Sequence, residues 1–240
     1  PLLVVMHGVG RNADDYRDHA MPLADKLHAL VVSPLFTKER FPTYRYQRGG
    51  VVRDGKAQAA EKWTFQYVME VARLIRVREG RPDMPVIYIG HSAGGQILHR
   101  MAAFLPGDAQ RIVAANPGTL LFPTREQNYP LGFGSLPEDL GGDAQIKAYL
   151  AASLTLYLGT ADLLAKDLDQ SPAANRQGLT RLERGRACYA MAKALAMERG
   201  WPFNWRLVEA QDVGHSAAAM FSHPQAVQTI VPETKPSSRP

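Results

Sequence analysis

The stretch Gly90-His91-Ser92-Ala93-Gly94 lies directly after a short apolar run, residues 85–89, and directly before a helical stretch that ends near Leu105. A serine at so tight a strand-to-helix turn sits in strained backbone, and glycines two positions to either side let neighbouring chain approach without a Cβ clash. The pattern therefore demands a strand and a helix packed together, with the serine hydroxyl presented above the sheet edge. A plainer reading, a glycine-containing turn whose serine only caps the helix, accounts less well for the strand and helix that flank it.

Elsewhere, short β-rich runs alternate with helical stretches, which predicts an α/β fold: a mostly parallel central sheet with helices on both faces. Candidate strands are Leu2–Met6, 29–33, 85–89, Arg111–Ala115, 153–158 and 204–208, several of them continuous Val/Ile/Leu runs typical of strands buried on both faces. Candidate helices cover 14–28, 63–79, 94–105 and 179–199. Residues 34–58 and 116–142 lack clear periodicity and are heavy in Gly, Pro, Tyr and Arg. Loops this long usually shape a binding site. The last nine residues, 232–240, are rich in Pro and Ser. The expected organisation is one domain over 1–230 and a disordered tail over 231–240.

Composition removes several classes of function. The net charge of +5 would suit an anionic partner, but Lys and Arg are scattered rather than gathered into a stripe with stacking aromatics, which argues against nucleic-acid binding. The longest apolar runs are strand-sized, far short of the roughly 20 residues that cross a bilayer, so no membrane span is expected. One cysteine, Cys188, excludes an internal disulfide and any cysteine-based zinc or iron–sulfur site. The chain opens at Pro1 directly into an apolar strand, with no signal-peptide pattern, so residues upstream are expected to be missing.

A serine hydroxyl is a weak nucleophile at neutral pH and needs a base within hydrogen-bonding reach, itself oriented by a carboxylate. The candidates should lie after the serine, just past strand C-termini, in the order Asp or Glu and then His. Asp162, in Leu158-Gly159-Thr160-Ala161-Asp162, and His215, in Asp212-Val213-Gly214-His215, meet that demand. His7, His19, His28, His91, His99 and His223 lack the combination of strand, glycine and chain order, and the bland alternative for His215 is a satisfied surface histidine. Asp167 and Asp169 compete with Asp162 from the same loop, or read as a solvated acidic stretch; as an Asp-x-Asp pair they are a weak metal signal, and no metal is expected.

The developing oxyanion needs backbone N–H donors fixed in advance. Ala93, after the serine, should supply one, and Val9 in Met6-His7-Gly8-Val9-Gly10 the other, unless His7-Gly8 is only a tight turn. Cys188 reads as a packed helical thiol rather than a nucleophile. Trp63, Tyr44, Tyr46, Phe122 and Tyr129 could line an aromatic substrate groove, although aromatics near helix starts more often belong to the core.

Taken together, His7-Gly8 with Arg11-Asn12 and Asp15-Tyr16-Arg17, Gly90 to Gln96, Ala115-Asn116-Pro117-Gly118, Gly159 with Asp162, and Gly214-His215 resemble the poly(hydroxybutyrate) depolymerase-like esterases of the α/β-hydrolase superfamily, from the first strand to about Phe221. The resemblance implies the α/β-hydrolase fold, with its usual first strands absent before Pro1, and a serine carboxylic-ester hydrolase that works through an acyl-enzyme without a cofactor. Substrates implied are polyhydroxyalkanoates or related polyesters and short-chain esters. Feruloyl or acetyl-xylan esters, a thioesterase or peptidase on the same fold, and a non-catalytic binding module remain alternatives. The family allows secretion or a periplasmic location, and oligomeric state is open.

Overall fold

The structure, a computed structural model, describes residues 1–231. The expected tail lies outside the described residues, apart from Val231. Six parallel strands form one sheet: β1 (Leu2–Met6), β2 (Leu30–Val32), β3 (Val86–His91), β4 (Arg111–Ala115), β5 (Leu154–Gly159) and β6 (Arg206–Ala210), in the order β2-β1-β3-β4-β5-β6. Val52–Arg53 and Lys56–Ala57 form a separate small hairpin.

Strict alternation along each strand divides the interior into two cores. Leu2, Val4 and Met6 of β1, Val86 and Tyr88 of β3, Ile112 and Ala114 of β4, and Leu154 and Leu156 of β5 face one side. Leu3, Val5, Ile87, Ile89, Val113, Ala115 and Tyr157 face the other. Because both faces of the four inner strands, β1, β3, β4 and β5, are buried, these read as largely aliphatic runs. The first core is closed by α2 (Thr64–Arg78), α3 (Ala93–Phe104), α4 (Asp143–Leu150) and α5 (Arg181–Arg199), and the second by α1 (Ala13–Leu27) and α6 (Ala217–Ser222).

Helix ends follow local chemistry. Thr180 caps α5 by accepting from the Glu183 N–H, and the Glu183 carboxylate reaches back to the Leu179 N–H. Gly200, at φ 63°, ends the same helix in left-handed backbone. Helix α1 carries Asp14 and Asp15 in its first turn, where the helix dipole favours negative charge.

From β1 the chain crosses to β2 on one side, and it later returns to place β3 on the other side of β1. Adjacent strands whose connections run in opposite directions leave a crevice above their carboxyl ends, where open α/β sheets bind ligands. The His7–Gly10 turn follows β1 at that crevice, and Ser92 follows β3.

Candidate active site

Ser92 begins where the ladder stops. Gly90 pairs with Ala114 and His91 with Ala115, and the Ser92 N–H then donates to the Ala115 carbonyl at 2.9 Å. At φ 58° and ψ −116° Ser92 turns the chain sharply into α3. A Cβ on Gly94 would lie 2.1 Å from the Met6 carbonyl oxygen, and one on Gly90 would lie 2.5 Å from the Gly94 carbonyl carbon. Only glycine lets β1, the turn and the helix start approach this closely.

His215 lies after β6 and Asp162 after β5, as their spacing predicts. The structure brings both to the serine: His215 Nε2 lies 3.1 Å from Ser92 Oγ, and His215 Nδ1 lies 2.7 Å from Asp162 Oδ2. The Asp162 side chain is wholly buried, whereas that of His215 is 28% exposed, so the hydroxyl–imidazole pair meets solvent and the carboxylate does not. Asp162 is thus the carboxylate on His215; its rival Asp169 accepts from the Ser171 N–H instead.

The two loops are tied to each other. The Ala161 N–H donates to the Val213 carbonyl and the Asp212 N–H to Thr160 Oγ1. Gly159 is required because a Cβ there would lie 2.3 Å from that same carbonyl oxygen. Between them sits Asn116, buried and held at φ 41° just past β4. Its Oδ1 accepts from the Gly159 N–H at 2.8 Å and its Nδ2 donates to the Gly214 carbonyl at 3.4 Å. Asn116 belonged to a recognised sequence pattern without a role. Its place after a strand C-terminus, the criterion that selected Asp162 and His215, would have found one.

Two further groups were not legible as site residues. Arg181, at the start of α5 and almost fully buried, directs Nη1 to Asp162 Oδ1 at 3.4 Å. His91 packs its ring against that of His215 with centroids 4.5 Å apart, and Tyr16 Oη lies 3.3 Å from its Nδ1. Burial holds the His91 imidazole well below the usual histidine range, so it stays neutral beside His215.

The Gly8–Val9 turn is braced from beneath. His7 Nε2 accepts from the Phe36 N–H at 3.0 Å, which leaves Nδ1 as the protonated nitrogen and donor to the Gly8 carbonyl. The Tyr46 hydroxyl donates to the His7 carbonyl at 2.7 Å and its ring stacks on the imidazole. Burial lowers the His7 pKa to about 4. Val9 itself is 51% exposed at the crevice, and Ala93 occupies the first helical position of α3, where its N–H has no partner within the helix.

Other candidates fall away from the serine. His99 is buried against the Tyr149 hydroxyl, His28 ends α1, and His223 accepts from the Gln225 N–H. Cys188 is buried 4.0 Å from His99 Nε2, with its thiol pushed up by desolvation, so no thiolate forms near neutral pH. Of the aromatics, Trp63, Tyr46 and Phe122 take the core reading that the sequence favoured, because their rings supply the area that closes the first core. Tyr44 and Tyr129 alone of that set line a surface cavity, shared with Arg48 and Arg53.

Solved structures with the same arrangement of chain exist. A poly(aspartic acid) hydrolase-1 from Sphingomonas sp. KT-1 is 36% identical with a TM-score of 0.85, over 91% of this chain and 84% of that one. A poly(3-hydroxybutyrate) depolymerase from Bordetella parapertussis is also 36% identical, with a TM-score of 0.84, over 92% of this chain and 75% of that one. The chain belongs to the poly(hydroxybutyrate) depolymerase-like family of α/β-hydrolases. It shares the fold, at 17% identity and a TM-score of 0.51, with an S-formylglutathione hydrolase from Agrobacterium tumefaciens, over 96% of this chain and 80% of that one. No protein-family model and no curated protein matches the sequence. As a member of this family, the protein is a serine hydrolase.

Proposed function

We propose that the protein hydrolyses carboxylic esters through an acyl-enzyme formed on Ser92. The observation that carries this reading is the unbroken hydrogen-bonded line from Ser92 Oγ through His215 to Asp162. His215 Nε2 takes the serine proton as Oγ attacks the ester carbonyl, then returns it to the departing alkoxide; Asp162 holds the imidazole in the tautomer that presents a free Nε2. The N–H groups of Ala93 and Val9 receive the oxyanion, held in place before substrate arrives by the α3 start and the braced turn after β1. A water molecule activated by His215 then releases the acid. In this reading residues 90–94 are a nucleophile elbow.

An open site favours an extended acyl chain. His215 is partly exposed, and residues 116–142 are anchored to α3 and α5 by Arg100, which donates to Thr119 and Pro130, and by Arg184, which donates to the Gly118 carbonyl. Two cavities lie beside this segment, one lined by Gln96, Gly118 and Thr119 and another of about 380 Å³ lined by Tyr129 and Arg176, and their linings share Arg48, Pro130, Leu131 and Asp169. A second reading, amide hydrolysis of an acidic polymer such as the one named for the Sphingomonas relative, rests on the 36% identity to that relative, since Arg48, Arg53 and Arg176 along these cavities are offset by Asp54, Glu126 and Asp169 of the same linings.

Kinetics on short chromogenic esters, 3-hydroxybutyrate oligomers, thioesters, peptides and poly(aspartate) separate these readings. Ester turnover that falls by about 10⁴ or more in Ser92→Ala supports the proposal, since members of such a triad act as a unit. Turnover of poly(aspartate) without that of any ester selects the second reading. Unchanged ester turnover in Ser92→Ala overturns both.

A further inference from the structure

The acid of the Ser92–His215–Asp162 line is itself held by a cation that the hydrolytic reading does not use. Asp162 divides its two oxygens: Oδ2 faces His215 Nδ1 at 2.7 Å, and Oδ1 faces Arg181 Nη1 at 3.4 Å. Both partners of the ion pair are buried, the arginine side chain to 1% exposure and the aspartate to 0%. The same guanidinium donates through Nη1 to the Leu164 carbonyl at 3.1 Å and through Nη2 to the Lys166 carbonyl at 2.7 Å. One side chain therefore fixes both the carboxylate and the loop that follows it. Its Nε lies buried without an acceptor among the described residues, so the guanidinium is not placed where its own hydrogen bonding is best satisfied.

We propose that Arg181 is a positioning residue for the hydrolysis: it locks Asp162 in line with His215 and offsets the buried negative charge of that carboxylate. The inference rests on the serine-hydrolase reading of Ser92, His215 and Asp162. Its physics is direct. A lone buried carboxylate beside an imidazole stabilises imidazolium and raises the pH at which the base becomes free, whereas a cation on the far oxygen weakens that pull. A low-dielectric surround strengthens both effects.

Other charges near the line are few. His91, packed on His215, is kept neutral by burial, with Tyr16 and His19 of α1 behind it. Arg184, one turn along α5, is turned toward the carbonyls of Gly118, Asp169 and Gly178 and the side chain of Asn175. Lys166 contributes its backbone carbonyl to Arg181, and the Asp212 backbone is bonded to Thr160 in an exposed turn. Arg181 is thus the cation bonded to the carboxylate on His215.

The test is the pH profile of kcat/KM for ester hydrolysis in Arg181→Gln and Arg181→Lys, with Ser92 labelling by a fluorophosphonate as the control for an assembled site. Arg181→Gln is expected to move the acid limb about one pH unit upward, a tenfold loss at fixed pH on that limb. Arg181→Lys, which keeps the charge but not the two-carbonyl bridge, is expected to lose rate while keeping the limb near its original pH. An Arg181→Gln enzyme that labels normally and keeps the original limb would show the arginine to be a loop brace only and overturn the proposal. If Arg181→Gln does not fold, the rate of Arg181→Lys decides: a loss of about tenfold or more in kcat with normal labelling supports the proposal, and an unchanged rate, or a limb moved upward despite the retained charge, contradicts it. Failure of the wild-type protein to label at Ser92 defeats the underlying reading instead, so the two failures are distinguishable.

Discussion

Ser92 is held at φ 58° where β3 turns into α3, with His215 Nε2 3.1 Å from its Oγ and the buried Asp162 2.7 Å from His215 Nδ1. At this scale Asp162→Asn should preserve packing while presenting the wrong imidazole tautomer, lowering kcat by about 10³–10⁴ in steady-state assays. Buried neutral histidines set a second expectation. The His7 pKa lies at about 4 when folded against 6.5 otherwise, so the unfolded chain takes up a proton between those values and the folded protein does not. Stability is therefore complete above about pH 6.5 and falls as pH drops toward 4, by up to about 3 kcal/mol for this group. His91 and His99, also pushed down by burial, act in the same direction. Urea midpoints should fall between pH 7 and pH 5; a flat profile would refute the assignment. Ser92, Asp162 and His215 were legible because chain order and strand ends constrain them. Arg181 was not, since an arginine at a helix start reads as solvated until tertiary packing buries it.

At the scale of elements, the strand–turn–helix unit of β3 and α3 depends on its glycines. Gly94→Ala would drive a methyl group against the Met6 carbonyl at 2.1 Å, so β1 and α3 must separate. The expected result is a loss of at least about 1–3 kcal/mol in denaturant unfolding, together with loss of Ser92 labelling. Asn116→Ala removes the link between the Asp162 and His215 loops and should lower kcat by about 10-fold or more with KM little changed, because the loops drift rather than unfold. All six strands of the central sheet and four of the helices were visible in the sequence, with boundaries displaced by at most two residues, since aliphatic runs and helical periodicity survive any context. Helices α4 and α6 were not. Helix α4 has only eight residues and a weak apolar face, and α6 is an Ala-rich turn of six that forms by docking on α1.

For the whole molecule, two cores share one sheet, and every buried strand contributes to both. We therefore propose that residues 1–230 unfold as one unit, with fluorescence and circular dichroism following a single transition; two separated transitions would contradict this. Overall architecture was legible because alternating strands and helices admit few parallel topologies. The course of residues 116–142 was not: whether they cover Ser92 or lie beside it depends on buried arginines that tie distant carbonyls, contacts that no local pattern encodes. Assembled in this way, sheet, helices and loops should activate one serine, Ser92. Mass spectrometry with peptide mapping after a fluorophosphonate probe tests it most directly. A single adduct on Ser92, absent in Ser92→Ala, is expected; a folded protein that takes no label, or takes it on another residue, would contradict the serine-hydrolase reading.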